Sequence, residues 1–329
     1  MDAYLEMIPP SWLVEAEERI SAYIHQTPLT YDRTLDIYLK WENQQITGSF
    51  KARGALNKVL SLQDWERDKG LVAASAGNHG QGVALAGSIL DTQVTVFVPE
   101  HAVPAKVHAM QSLGATVLFV SGGYHAAEAA GKTFAIERKM AWISPYNDGQ
   151  VIAGQGTLGL ETMQQLPALP NAAWLVPVGG GGLISGIGAA IKGPASHFGT
   201  PLPNVHLVGV QSEASPFLHG IFYQGSQDHH LELPSLADGL AGPVETNSIT
   251  IPLVRQYVDE MILVNEDQIK DAIRFAWKQY HETIEGSAAA PLAAILSGKI
   301  KRKPLVVVIS GGNIQPEVHQ AVVSKEYLE

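Results

Sequence analysis

The chain lacks cysteine altogether and carries little charge. None of its 329 residues is a cysteine, which excludes disulfides, thiolate nucleophiles and cysteine-ligated zinc. Charged residues make up only 16% of the chain, and the formal net charge is -10. An acidic balance of this kind disfavours nucleic acid or an anionic membrane surface as the main partner. We therefore expect no nucleic-acid partner and no membrane partner.

Long apolar runs are missing as well. No stretch approaches the roughly 20 apolar residues that are needed to span a bilayer. Residues 1–6 lack the basic segment and the apolar run that mark a secretory signal, so we expect a cytoplasmic protein. Hydrophobic residues nevertheless make up 46% of the chain, which predicts a well-cored globular protein with room for two domains.

Short apolar runs alternate with helical patterns. In the first series, helices are predicted at 103–113 and 126–140, between strands at 71–74, 94–98, 116–120 and 141–143. A second series of strands follows at 174–178, 206–210, 261–264 and 305–309. Such alternation predicts an α/β fold with parallel sheets and helices on both faces. We place a small domain at residues 65–147 and a large, discontinuous domain at 1–64 and 148–329.

Four consecutive glycines separate the strand at 174–178 from an apolar helix at 183–191. Backbone N–H groups at such a junction converge, and the helix dipole favours an anion there, by only ~0.3–2 kcal/mol. A phosphate therefore needs several direct N–H bonds as well, each worth roughly 1.5–3 kcal/mol. The run fits neither the dinucleotide fingerprint nor a nucleotide P-loop, so it favours a monophosphate ester. A tight turn that merely packs helix on strand is the alternative, which four glycines in a row disfavour.

Three other segments carry reactive or polar groups. Lys51 follows Phe50 at a predicted helix start, and a desolvated lysine amine can form an imine with an aldehyde. Residues 75–79 turn from strand to helix and offer a nest for a carboxylate. Ser310 ends the last strand, where its hydroxyl could bond a heteroaromatic nitrogen without holding it protonated. Taken singly, these features are explained by a solvated lysine, a structural His79 and an ordinary β-turn.

Together and in this order, the four segments resemble the fold-type II pyridoxal phosphate enzymes, specifically the serine/threonine dehydratases and serine racemases. The resemblance extends over nearly the whole chain and includes residues 25–29, 151–157, 237–239 and 285–288. It implies a fold similar to the tryptophan synthase β subunit, with two domains that each contain a mostly parallel twisted sheet flanked by helices. It also implies pyridoxal 5'-phosphate as the cofactor and a homodimer as the assembly.

The resemblance assigns roles to individual residues. Lys51 would be the catalytic lysine and would carry the imine with the cofactor, beside Phe50. Asn78 would bond the ring hydroxyl, and Ser310 would face the pyridine nitrogen. The phosphate would be bound by Gly179, Gly180, Gly181, Gly182 and Leu183. Gly239 and Glu285 would line the cofactor. The substrate carboxylate would be held by Ser75, Ala76, Gly77, Asn78 and His79.

The implied reaction is β-elimination of L-threonine or L-serine to a 2-oxo acid and ammonia. Ala76 stands where racemases carry a serine acid/base, and alanine cannot transfer a proton, which favours dehydration over racemisation. By the same resemblance we expect no metal site of the family's divalent type, because Gln211, Ser215 and Phe217 occupy the positions of that segment; a monovalent ion held by carbonyls stays an open alternative. Three alternatives stay open: a serine racemase, a 3-hydroxyaspartate dehydratase and a catalytically silent protein that binds the cofactor.

Overall fold

The computed structural model describes residues 8–166, 169, 171–193 and 204–324. Within these residues the strands are β1 (Leu29–Asp32), β2 (Ile37–Trp41), β3 (Leu71–Ala74), β4 (Val94–Pro99), β5 (Thr116–Val120), β6 (Ala141–Trp142), β7 (Ala173–Pro177), β8 (His206–Ser212), β9 (Glu260–Val264) and β10 (Leu305–Ile309).

The α-helices in the same residues are α1 (Pro10–Ile20), α2 (Lys51–Ser61), α3 (Asp64–Arg67), α4 (Asn78–Ile89), α5 (Pro104–Ser112), α6 (Tyr124–Arg138), α7 (Gly149–Gln165), α8 (Gly182–Lys192), α9 (Phe217–Gln224), α10 (Thr250–Tyr257), α11 (Glu266–Tyr280), α12 (Gly286–Leu296) and α13 (Pro316–Val323). No helix in this described part is both long and apolar enough to cross a membrane.

The strands form two sheets. The larger has the order β1-β2-β10-β7-β8-β9, and its neighbours are parallel except in the β1–β2 hairpin. The smaller has the order β5-β4-β3-β6 and is parallel throughout. All strands of the smaller sheet come from residues 71–142. These are the strands of the first predicted series, while the domain limits at 64/65 and 147/148 stay a prediction.

Each sheet is covered by helices on both faces, as the sequence predicts. Successive residues of β10 alternate between two separate cores, with Val306 on one face and Val307 on the other. The first core is completed by α1, α7, α8 and α10, and the second by α11, α12 and α13. A buried parallel strand needs apolar residues on both sides, which explains its uninterrupted Leu-Val-Val-Val-Ile sequence.

Helix α2, which begins with Lys51, is held at backbone distance from α7. A Cβ atom added to Gly154 would lie 2.7 Å from the Cα of Gly54, so a side chain at either position would push the two helices apart. The fully buried guanidinium of Arg53 also pairs with Glu42 at 2.8 Å and with Glu161 at 2.9 Å. These contacts fix the first turn of α2, and with it the start of the Lys51 side chain.

Candidate active site

Residues 48–50, just before Lys51, pair with the chain that leaves the central strand β10. Phe50 N donates to Ser310 O at 3.0 Å, and Gly312 N donates to Gly48 O at 2.9 Å. Ser49 and Gly311 form an antiparallel bridge between these two bonds. The fold therefore brings the predicted lysine segment and the predicted Ser310 turn side by side at the carboxyl end of the sheet, where ligands bind in open α/β folds.

Lys51 carries an amine that is partly withdrawn from water. Its Nζ donates to the carbonyl of Pro145 at 2.9 Å and lies 5.2 Å from the centre of the Phe50 ring. Burial lowers the pKa of Lys51 to about 8, and the nearby Glu285 carboxylate offsets part of this shift. About a tenth of the amine is thus neutral, and therefore nucleophilic, at pH 7, and about half at pH 8.

Asn78, the first residue of α4, lies between two polar partners. Its Nδ2 donates to Glu285 Oε1 at 2.8 Å, and its Oδ1 accepts a hydrogen bond from Asn313 Nδ2 at 2.7 Å. Glu285 is only 5% exposed. Burial, followed by the charge of Asp238, raises the pKa of Glu285 to about 7. A carboxyl group and an amide with a spare N–H are thus brought next to the lysine segment.

The turn from β3 into α4 contains the predicted carboxylate residues 75–79. Gly77 N donates to Ser75 Oγ at 3.1 Å, and the first N–H groups of α4 have no partner within the helix, as at any helix start. His79 Nε2 donates to Ile143 O at 2.8 Å. Burial and the charge of Lys51 lower the pKa of His79 to about 3, so the ring is neutral. Any carboxylate held at Ala76 and its neighbours therefore depends on N–H groups rather than on an imidazolium.

The glycine turn between β7 and α8 has no room for side chains. A Cβ atom on Gly180 would lie 2.6 Å from the ring of Tyr146, and one on Gly179 would lie 3.1 Å from the Cα of Leu240. Gly181 has a left-handed φ of 87°, which favours glycine. Thr250 Oγ1 donates to Gly180 O at 2.7 Å and fixes the turn. Because no side chain stands in front of them, the backbone N–H groups that precede Leu183 can approach an anion closely, as a phosphate cradle requires.

One short segment links this cradle to the amine. Pro145 accepts the hydrogen bond from Lys51, and the next residue, Tyr146, packs on Gly180 and Gly182. The Tyr146 hydroxyl accepts a hydrogen bond from Glu245 N at 3.0 Å. Neither Pro145 nor Tyr146 has a local sequence signal that marks it, since both lie in an ordinary connection between β6 and α7. The adjacent residues Pro145 and Tyr146 thus contact both the lysine amine and the glycine turn.

Gly239 lies next to the glycine turn between β7 and α8. It lies in the short 3-10 turn Asp238–Leu240, and its N–H donates to Ser287 Oγ at 3.0 Å. Its carbonyl oxygen lies 3.3 Å from the position of a Cβ on Gly179. Next to it, Asp238 pairs at 2.9 Å with Lys106 of α5. The predicted residue Gly239 is therefore in contact with the glycine turn. The ion pair joins the 3-10 turn that contains Gly239 to α5, which packs against the smaller sheet.

These residues fit pyridoxal phosphate. The molecule needs an amine of lowered pKa, a side-chain-free anion cradle and polar groups for its ring, and the site offers all three in the positions just described. When bound, the cofactor supplies an aldehyde for the amine and an aromatic ring that withdraws electrons from the α-carbon of an amino acid. Lys51, Asn78, Ser310 and the turn at 179–183 are the groups that would hold it.

Comparisons with known proteins agree with this chemistry. The family described as pyridoxal-phosphate dependent enzymes matches residues 20–311. An L-threonine ammonia-lyase of Thermotoga maritima is 40% identical over 326 residues, which cover 97% of this chain and 79% of that protein.

Two solved structures are similar over most of the chain. The serine racemase of Dictyostelium discoideum has a TM-score of 0.82 and 35% identity, and the match covers 94% of this chain and 99% of that one. The threonine deaminase isoform 2 of Solanum lycopersicum, in its processed form, has a TM-score of 0.84 and 29% identity, with 95% and 92% covered. The chain therefore belongs to the pyridoxal-phosphate dependent enzymes of fold type II, and pyridoxal phosphate is its cofactor.

Proposed function

We propose that the protein is an L-threonine ammonia-lyase, which converts L-threonine to 2-oxobutanoate and ammonia. The observation that carries the proposal is the Lys51 amine, whose burial leaves it partly neutral beside a cradle for a phosphate. The relative from Thermotoga maritima, named an L-threonine ammonia-lyase, supports the choice of reaction and substrate.

In this proposal Lys51 has two tasks. It holds the cofactor through its amine, and once threonine has taken its place it accepts the proton from the substrate α-carbon. The pKa of about 8 suits both tasks, because the amine must be neutral to accept a proton and charged to return one. The α-proton and the β-hydroxyl leave together as water, and water is taken up again when the released enamine hydrolyses to the 2-oxo acid and ammonia.

The remaining residues bind and orient. Backbone N–H groups of residues 75–79 would hold the substrate carboxylate, and those of 179–183 the phosphate. Asn78 would donate to the ring oxygen, and Ser310 would face the ring nitrogen as a neutral hydroxyl. Phe50, Gly239 and Glu285 would surround the cofactor and limit access of water.

L-Serine is a second substrate to consider, since its hydroxyl can leave by the same route. Racemisation of serine is the other candidate reaction, because a serine racemase is 35% identical over most of the chain. Ala76 argues against it, since a racemase needs a second proton carrier opposite the lysine and a methyl group cannot be one. Dehydration of 3-hydroxyaspartate would follow the same chemistry on a substrate with a second carboxylate.

The test uses the purified enzyme loaded with pyridoxal phosphate. 2-Oxo acid and ammonia are measured with L-threonine, L-serine and 3-hydroxyaspartate, and D-serine is measured with L-serine as substrate. We expect equal amounts of 2-oxobutanoate and ammonia, the highest kcat/KM for L-threonine and no D-serine. A preference for another substrate would overturn the threonine assignment but not the elimination, whereas D-serine as the main product would overturn both.

The role of Lys51 is tested with Lys51→Ala. We expect loss of the visible absorbance of the bound cofactor and a fall in turnover of at least ~1000-fold, the scale of losing an essential nucleophile and base. Lys301→Ala, at an exposed position, is the matched control and should behave like the parent enzyme. A Lys51→Ala enzyme that stayed coloured and active would refute the assignment.

The resemblance also implies a homodimer, and the sequence at 1–6 leads us to expect a cytoplasmic location; we add both to the proposal. Sedimentation equilibrium of the purified chain tests the first, with a mass of one chain as the contrary result. Fractionation of the source cells tests the second.

A further inference from the structure

Asn313 uses both hydrogens of its side-chain amide. Its Nδ2 donates to Thr47 O at 2.9 Å and to Asn78 Oδ1 at 2.7 Å. Its Oδ1 points away from these acceptors and lies 2.6 Å from where a Cβ atom added to Gly48 would be. Reversing the amide would set an oxygen against two oxygen acceptors, so only one orientation satisfies the site.

This orientation is passed on to Asn78. Because Asn78 Oδ1 faces Asn313, its Nδ2 faces Glu285, whose Oε1 accepts a hydrogen bond at 2.8 Å. The reverse orientation would bring two NH₂ groups together and turn the Asn78 oxygen toward a carboxyl group. Only one hydrogen of Asn78 Nδ2 is needed for Glu285, which leaves the second for a ligand.

The backbone around Asn313 keeps this arrangement close-packed. Gly312 N donates to Gly48 O at 2.9 Å, and Glu285 N donates to Gly311 O at 3.1 Å. A Cβ on Gly311 would lie 2.7 Å from Glu285 Oε1. The relay from Thr47 through Asn313 and Asn78 to Glu285 thus has little freedom to rearrange.

We propose that Asn313 is a positioning residue, which fixes the Asn78 amide so that a donor hydrogen, and not the carbonyl oxygen, faces the bound cofactor. The inference rests on the role given to Asn78 in the proposed function. It adds that Asn313 determines which side of the Asn78 amide, the NH₂ group or the oxygen, faces the cofactor. Without Asn313, Asn78 could present either face.

The main test is Asn313→Asp, which keeps the shape but removes both donor hydrogens. The carboxylate would repel Thr47 O and Asn78 Oδ1, so Asn78 would turn its oxygen toward the cofactor. We expect the dissociation constant of pyridoxal phosphate to rise at least tenfold, and the midpoint of the pH titration of its visible absorbance to shift by at least half a pH unit. Asn313→Ala, which removes the donors without adding charge, should shift both in the same direction and by less.

Asn43→Asp is the matched control. Asn43 also donates through Nδ2, to Glu282 Oε2 at 2.6 Å, and its Cβ lies 3.1 Å from the position of a Cβ on Gly312. We expect Asn43→Asp and Asn313→Asp both to lower the melting temperature, but only Asn313→Asp to shift the pH titration of the absorbance. Equal titration curves for the Asn43 and Asn313 variants would overturn the proposal.

A double-mutant cycle shows whether Asn313 acts through Asn78. In the background of Asn78→Ala, Asn313→Asp should change the cofactor dissociation constant less than threefold, because the amide that it orients is gone. A full tenfold effect in that background would overturn the proposal.

Failure of the wild-type enzyme to act on threonine would remove the proposed function, while the absorbance titration would still decide the role of Asn313.

Discussion

At the scale of single residues, the site holds two ionisable groups whose charged forms are both disfavoured by burial. The pKa of Lys51 falls to about 8 and that of Glu285 rises to about 7. The two shifts converge on the pH range in which the protein would work. Each group can therefore change its protonation with little cost, which is the property that acid–base chemistry on an amino acid requires.

The pKa of Lys51 predicts how fast the cofactor-free protein captures pyridoxal phosphate. Only the neutral amine reacts with an aldehyde, so the capture rate should rise with pH to a plateau, with a midpoint near pH 8. Stopped-flow measurement of the visible absorbance after mixing gives this profile. N-Acetyl-lysine methyl amide, with an unperturbed amine of pKa about 10.4, is the reference. A protein profile that coincided with this reference would contradict the burial of the amine.

The raised pKa of Glu285 predicts a pH-dependent gain from Glu285→Gln. The folded pKa of about 7 exceeds the ordinary 4.5, so the folded state holds the proton more tightly than the unfolded state. The resulting stabilisation is complete below pH 4.5 and is lost as the pH rises through 7. Glutamine resembles the protonated form. The cofactor-free variant should therefore be more stable than the parent at pH 8, by up to about 3 kcal/mol, and nearly equal to it at about pH 4.5.

Urea unfolding of both cofactor-free proteins at the two pH values measures this difference. Glu137→Gln, at an exposed position of α6, should show no such pH dependence. A Glu285→Gln protein that was less stable than the parent at the higher pH would mean that the carboxylate is well solvated or well paired in the folded state.

At the scale of elements, the sequence predicts what is decided locally. β3, β5 and β10 have the predicted limits, and α11 begins with a capping box of Asn265 and Gln268, which is a purely local signal. The β1–β2 hairpin was not predicted. Both strands are short. The turn between them contains Asp36 in the left-handed region with φ of 54°, and no glycine in the sequence marks this turn.

The site residues also fall into two groups: those with a local sequence signal and those that only the packing of distant elements brings together. The segments at 51, 75–79, 179–183 and 310 are visible in the sequence because each couples a turn to a polar or glycine-rich composition. Pro145, Tyr146 and Asn313 were not assigned roles, because their contacts arise only when distant elements pack. For Asn313 a signal existed, since an amide directly follows the two glycines at 311–312. The predicted roles of the individual site residues stay predictions until they are tested.

The glycine turn before α8 predicts the effect of Gly180→Ala. The added methyl group would lie 2.6 Å from the Tyr146 ring, so the ring or the turn must move. Overpacking of this kind costs about 1–3 kcal/mol of folding stability. If the turn moves to relieve it, the displaced N–H groups lose the phosphate, and a loss of the same size weakens the binding of pyridoxal phosphate roughly 5- to 150-fold. Equilibrium dialysis measures the dissociation constant.

Gly123→Ala is the matched control at another helix start. A Cβ there would meet nothing within 4 Å among the described residues, so the affinity should not change. If Gly180→Ala bound the cofactor as tightly as Gly123→Ala, the turn would have more room than its contact with Tyr146 indicates.

At the scale of the whole molecule, the site lies where the units of the two sheets meet. The smaller sheet contributes α4 and the turn before it, and the larger sheet contributes α8 and the turns at 238–240 and 310–313. Helix α2 packs between α4 and α7 and shares the core of the smaller sheet. The ion pair between Lys106 and Asp238 joins these two sides next to the turn at Gly77, because a Cβ on Gly77 would lie 3.9 Å from Lys106 Nζ. Asp238 is largely exposed, so the pair contributes little to overall stability.

Lys106→Ala should therefore affect substrate binding more than folding. Loss of a partly exposed pair costs about 0.2–1 kcal/mol, and we expect KM for threonine to rise roughly 1.4-fold to fivefold with kcat nearly unchanged. Added salt should raise KM of the parent enzyme toward that of the variant. Lys301→Ala is the control. A large fall in melting temperature with no change in KM would show that the pair is structural only.

The pairing of residues 48–50 with residues 310–312 also has a consequence for biosynthesis. The ribosome makes the lysine segment early, yet the segment that flanks it appears only after β10 has been translated. A nascent chain halted before Ser310 has the amine but not the strand end that positions it. Capture of the vitamin-derived cofactor in its final geometry must therefore wait until translation has passed Asn313.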